Sequence, residues 1–235
     1  MKKIIALVLI GGLLFWWFRD PTVSVSSHDV SFGYLVKYAG GAGSGDTLPM
    51  LVALHGNGDT AKNFYATALD KYSVPVRIIL IKGPFARGRG HAWPWSAADF
   101  IKYGAATNEA ISILAAKYPT TGKPVLLGFS GGAMMAYYQA VNHGDSYSFI
   151  FPVSGQLTNA HLGDKSVNVG AKVFPYHGKS DNVLSFGGGK AAASLLKAKG
   201  VFVRFTEFDG GHLGIFTTMK AAITQAVEEK IVMLE

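Results

Sequence analysis

Short, nearly uncharged runs alternate along this chain with stretches of helical periodicity, and that alternation restricts the fold more than anything else in the sequence. Residues 49–54, 76–82, 124–129, 148–153, 172–176 and 201–207 have strand length and mostly apolar side chains. Residues 62–72, 98–118, 131–143, 188–199 and 217–234 read as helices. In the longest, Ile101, Ala105, Ile111, Leu114 and Ala115 recur at helical spacing. A strand without polar alternation must be covered on both faces, so the pattern predicts an α/β fold with a mostly parallel central sheet and helices on both faces. Residues 29–38 alternate and add a first strand. In such sheets ligands bind at the carboxyl ends of the strands, so functional residues are sought in the loops that follow each run.

One of those loops carries a nucleophile signature. Gly128-Phe129-Ser130-Gly131-Gly132 follows the strand residues Val125-Leu126-Leu127 and enters a helix at Ala133-Met134-Met135-Ala136. The G-x-S-x-G spacing belongs to a sharp strand-to-helix turn in which the serine is strained and flanking glycines leave it room. The helix N-terminus beneath it favours negative charge. Ser130 is therefore the expected nucleophile. Its hydroxyl needs a base and the base needs an orienting acid, in the chain order Ser…Asp…His. Residues 172–176 run into His177-Gly178-Lys179-Ser180-Asp181, and 201–207 run into Asp209-Gly210-Gly211-His212. Asp181 is the expected acid and His212 the expected base. Asp209 competes for the acid role, but on the same short loop it is poorly placed to reach the far ring nitrogen of His212. The other histidines, His177 included, lack the right position. No H-E-x-x-H or comparable metal spacing occurs, so no metal site and no zinc hydrolase is expected.

Acyl transfer also needs donors for a developing oxyanion, and losing one costs about 3 kcal/mol. The residue after the nucleophile, Gly131, supplies one backbone N–H. The loop His55-Gly56-Asn57-Gly58-Asp59 follows an early strand and supplies the other, assigned to Asn57. His55 precedes the serine and reads as structural. Residues 83–95 and 154–170 are the long loops near the site. Neither can form a large lid, which predicts an open cleft partly walled by Trp93, Trp95 and Phe85.

Taken together, the segments Leu54 to Thr60, Gly128 to Ala133, His177 to Asp181 and Gly210 to His212 resemble the phospholipase/carboxylesterase family, which includes the acyl-protein thioesterases. The Gly-Ala-Met-Met run after the elbow is also similar to members of the polyhydroxybutyrate-depolymerase and feruloyl-esterase type. The resemblance spans residues 49–216. It implies an α/β-hydrolase fold, a Ser130–His212–Asp181 triad, Asn57 and Gly131 as oxyanion donors, and cofactor-free hydrolysis of carboxylic esters or thioesters. The chain departs from the thioesterases where they usually carry Gln and it has Gly131. They are also usually cytosolic and unanchored.

The N-terminus points elsewhere than the cytosol. Lys2 and Lys3 precede an uncharged run, 4–18, followed by Arg19-Asp20-Pro21. As a helix the run would be about 22 Å long, short of the ~30 Å hydrocarbon core and suited to a signal-peptide core. Its end, Phe15-Trp16-Trp17-Phe18, lacks the small residues of a cleavage site and suits a membrane interface. Residues 1–20 are thus expected to be a signal or uncleaved membrane anchor, and 21–235 one domain held on the periplasmic side of the inner membrane, or released if cleaved. The chain has no cysteine, which removes disulfides, thiolate metal sites and a lipid-modified cysteine. The formal net charge is +7, but the basic residues are scattered rather than striped, which argues against a nucleic-acid partner. The rival readings are a serine peptidase on the same fold, for which no device to recognise a peptide terminus is evident, and a non-catalytic anchored binding protein, which would have no need of three triad members.

Overall fold

The computed structural model describes residues 20–158, 161 and 170–234. Residues 1–19 of the expected 1–20 anchor and most of the loop 154–170 lie outside the described residues. Among the described residues no helix is long and apolar enough to cross a membrane.

The strands are β1 (Thr22–Val25), β2 (Val30–Ala39), β3 (Met50–Leu54), β4 (Val76–Ile81), β5 (Phe85–Arg87), β6 (Gly90–Ala92), β7 (Val125–Phe129), β8 (Phe149–Val153), β9 (Lys172–Val173), β10 (Tyr176–Gly178), β11 (Phe202–Val203) and β12 (Thr206–Phe208). The helices are α1 (Ala61–Phe64), α2 (Ala97–Lys117), α3 (Gly131–Asn142), α4 (Phe186–Ala198) and α5 (Lys220–Val232). The main sheet runs β1-β2-β4-β3-β7-β8-β10-β12, with β9 and β11 paired beside it. β1 and β2 pair antiparallel, as do β2 and β4; the remaining pairs of this sheet are parallel. From β3 the chain winds outward to β4, then returns past β3 to β7. The winding therefore reverses between β3 and β7, the place where an α/β sheet opens a crevice at its carboxyl end.

Both faces of the central strands are covered, as their unbroken apolar character requires. All five residues of β3 are buried. Met50, Val52 and Leu54 join a core with Phe100 of α2, Met135 of α3 and Leu196 of α4. Leu51 and Ala53 join a second core with Phe64 of α1 and Val227 and Ile231 of α5. The two-residue period of a strand splits one sequence run between two cores.

Local chemistry starts the helices. Thr60 accepts the Asn63 N–H to open α1, Ser96 the Asp99 N–H to open α2, and Ser185 the Gly188 N–H to open α4. The helix expected over 62–72 is shorter and changes pitch, because α1 widens into a π turn at Tyr65–Leu69. Phe64 and Leu69 both face the core at a spacing of five, which suits that wider turn. The expected strands 172–176 and 201–207 are each interrupted. Pro175 has no N–H to give a ladder, and pairing resumes at Tyr176↔Thr206. Two elements escaped the sequence reading: β1, and the β5–β6 hairpin inside 83–95. Pro21 accepts the Tyr34 N–H and Asp20 pairs with Lys82, so the folded domain reaches back to Asp20.

At the amino end of β4 the Arg77 side chain is fully buried. It donates to the carbonyls of Pro119 at 2.7 Å and Asp46 at 2.8 Å and lies between the Tyr38 and Tyr118 rings. Charged-donor bonds of this kind contribute about 1.5–3 kcal/mol each. Arg77→Met should lower the unfolding free energy by roughly 3 kcal/mol in urea titrations, with turnover per folded molecule unchanged. An unaltered urea midpoint would show that the two carbonyls do not need the guanidinium.

Candidate active site

The turn after β7 is strained. Ser130 has φ 53° and ψ −116°, a region that residues with a β-carbon rarely occupy. What holds it is the approach of α3 to the end of β3. A β-carbon on Gly132 would lie 2.2 Å from the Leu54 carbonyl oxygen, so only glycine lets the helix start that close. The serine is thereby lifted to the carboxyl edge of the sheet, beside the loop that follows β3.

Asp181 follows β10 and His212 follows β12, and both reach Ser130 from strand ends. With Asp181 as acceptor, Nδ1 of His212 carries the proton and donates to Oδ2 at 2.8 Å. Nε2 is left to face the Ser130 hydroxyl at 2.9 Å. The Phe129 ring packs against the imidazole at 5.0 Å. Asp181 is fixed in turn: Oδ1 accepts the N–H groups of Val183 and Leu184 at 2.9 and 3.0 Å. Asp209 is not part of this chain; its side chain is 92% exposed and pairs with Lys179 at 3.0 Å.

His177, set aside in the sequence, is buried against the same carboxylate. Its Nε2 lies 3.2 Å from Asp181 Oδ2 and 2.8 Å from the Leu184 carbonyl. The carbonyl only accepts, so Nε2 carries the proton and donates it to Leu184, with Asp181 Oδ2 in close contact beside that bond and Nδ1 left without a hydrogen-bond partner among the described residues. The signal was present in the sequence: His177 and Asp181 stand four apart on one tight loop.

The loop after β3 is stapled to the segment 83–93. His55 is buried; its Nε2 accepts the Gly83 N–H at 3.1 Å, so Nδ1 holds the proton and donates to the Gly56 carbonyl at 2.7 Å. The Trp93 indole N–H donates to the His55 carbonyl, and the Trp93 backbone N–H donates to Asn57 Oδ1, both at 2.8 Å. Trp93 is 2% exposed, so the expectation that it walls the cleft is corrected: its indole is spent on the loop. Phe85 packs on Tyr103 and does not line the cleft either. Trp95 does line it, and is 63% exposed.

The cleft encloses about 650 Å³, with Ser130, His212, Asn57 and Gly131 on its wall. Among the described residues the backbone N–H groups of Asn57 and Gly131 have no protein acceptor. Val183, Leu184 and Leu213, within three residues of Asp181 or His212, supply apolar lining together with Met134 and Phe216.

A family model described as phospholipase/carboxylesterase matches residues 105–227. The chain belongs to the phospholipase/carboxylesterase family. Its fold is the α/β-hydrolase fold, shared with esterase PE8 (22% identity, TM-score 0.71, covering 84% of this chain and 98% of that one). It is shared also with the Bacillus cereus carboxylesterase (14%, 0.69, 85% and 94%) and with Zea mays acyl-protein thioesterase 2 (20%, 0.64, 84% and 98%). No curated protein matches the sequence. Gly131 has a steric role beside its place after Ser130. A β-carbon there would lie 2.3 Å from Asn57 Oδ1, so the glycine makes room for the amide that Trp93 holds.

Burial holds His55 below its ordinary value of 6.5, against its bond to Gly56 and the Asp59 charge. Burial lowers His91 in the same way, aided by Lys82. With folded values depressed, the unfolded chain binds more protons once pH falls below about 6.5, so stability is full above that pH and declines beneath it. Urea midpoints measured from neutral pH down to about pH 5 should fall, and His55→Gln should flatten the slope. A slope identical in the variant would remove His55 from the cause.

Proposed function

We propose that the protein is a serine carboxylesterase that hydrolyses carboxylic esters, thioesters among them, through an acyl-enzyme. The observation that carries this reading is the unbroken hydrogen-bonded chain from the strained Ser130 hydroxyl through His212 to the buried Asp181. Ser130 Oγ attacks the ester carbonyl as His212 Nε2 takes its proton, and Asp181 stabilises the imidazolium. The carbonyl oxygen, now negative, is met by the N–H groups of Asn57 and Gly131. As the tetrahedral centre collapses, the leaving alcohol or thiol takes the proton from His212. Water then enters by the same route, His212 accepting its proton, and releases the acid and Ser130. The apolar lining of Met134, Leu213 and Phe216 supports substrates with an apolar acyl or alcohol group. The apolar run 4–18, flanked by Lys2, Lys3 and the Trp16-Trp17 pair, supports a tether to a membrane outside the cytoplasm.

Hydrolysis of p-nitrophenyl esters should vanish in Ser130→Ala, together with labelling by a fluorophosphonate. An intact chain that neither turns over any ester nor labels at Ser130 would overturn the reading. Because His177 Nε2 lies 3.2 Å from the carboxylate that orients His212, His177→Ala should lower kcat about tenfold, about 1.4 kcal/mol of barrier. His177→Gln, which keeps a donor near Nε2, should recover part of the loss. An alanine variant with unchanged kcat would leave His177 a packing residue.

A further inference from the structure

The strand register fixes where the N-terminal segment meets the folded domain. Thr22 lies opposite Gly33, and Gly33 accepts the N–H of Lys82, the residue just past β4. Asp20 pairs with the Lys82 side chain. Both lie at the carboxyl ends of the parallel strands, the face that also carries Ser130, Asp181 and His212. From β1 to β7 the sheet order counts four strand spacings, about 19 Å at ~4.8 Å each. Only Arg19 separates Phe18 from Asp20, so whatever holds the apolar run holds this corner of the domain within about 7 Å of it.

The same face has the composition of a membrane-contacting surface. Trp95, Val183 and Leu213 are 63, 62 and 59% exposed, and all three rim the one cleft. Ile101, also exposed, lies one turn into α2, just beyond Trp95. Arg87 and Arg89 stand exposed on the β5–β6 hairpin, and among the described residues neither pairs with a carboxylate. Of the acidic groups nearby, Asp20 pairs with Lys82 and Asp209 with Lys179, while Asp59 is held by the Thr60 N–H and the Asn63 amide and Asp99 by Ser96. A tryptophan and aliphatic rim beside free arginines suits the headgroup boundary of an anionic bilayer.

We propose that the carboxyl-end face docks on the bilayer that holds the N-terminal segment, with its cleft mouth opening onto anionic lipid headgroups. The esters it meets are then those presented at that surface, an extension that rests on the serine-esterase reading. The docking itself does not, and its test needs no turnover.

The chain has no native cysteine, so single probes can be placed without background. Val183→Cys, Leu213→Cys and, on the opposite face just before β7, Lys123→Cys are labelled with an environment-sensitive fluorophore in the full chain. Each is reconstituted in phosphatidylcholine vesicles with and without phosphatidylglycerol, and quenching by spin-labelled lipid is read. Probes at 183 and 213 should be quenched severalfold more than the probe at 123, and more strongly with phosphatidylglycerol. Arg87→Glu combined with Arg89→Glu should abolish that gain. Equal quenching at all three positions, or a full chain that does not sediment with vesicles, overturns the proposal. Strong quenching at 183 and 213 in a protein that turns over no ester would keep the surface and sink only the esterase reading.

Discussion

The contact of Gly132 with the Leu54 carbonyl governs the rest of the site. It lets α3 start against the end of β3, and so forces the chain between β7 and α3 into a turn too tight for relaxed backbone angles. Ser130 bears that strain. In return its hydroxyl stands clear of the sheet, next to the loop after β3 and within reach of two other strand ends. The reversal of winding between β3 and β7 provides the crevice into which those loops project.

Around this point the polar groups form two buried scaffolds with different tasks. One holds the acid: Val183 and Leu184 N–H on one oxygen of Asp181, His212 on the other, with His177 in contact beside it and bonded to the Leu184 carbonyl. The other holds the loop of Asn57 through Gly83, His55, Trp93 and the Asn57 amide oxygen. Buried polar groups carry a cost when a partner is missing. Each scaffold therefore positions its member of the site more firmly than apolar packing could. The backbone N–H groups facing the cleft stay available because side-chain atoms, rather than those donors, carry the bracing.

The parallel sheet was legible because β3, β4, β7 and β8 are apolar but for Arg77, a pattern that fits burial on two faces. Ser130, Asp181 and His212 were legible because each follows a strand, where loop position and chain order constrain residues strongly. β1 and the β5–β6 hairpin were not. They are short, and their pairing depends on neighbours distant in sequence, such as β2 for β1. Trp93 misled because a tryptophan beside a predicted cleft reads alike whether its indole faces substrate or, as here, the His55 carbonyl. His177 was not legible as a neighbour of the acid because its position was weighed only for a base, whereas its ring bonds the Leu184 carbonyl and packs against Asp181.

Gly131 and Asn57 occupy a space that only one of them can fill. The amide of Asn57 stands where a side chain on residue 131 would begin, and Trp93 keeps it there. The two positions cannot drift independently. A lineage exchanging Gly131 for a longer residue must first shorten or swing Asn57, and so must re-pack Trp93 and find another brace for the loop. A longer residue at 131 and the present seating of Asn57 on Trp93 thus exclude one another, and only coordinated change at three positions leads from one to the other.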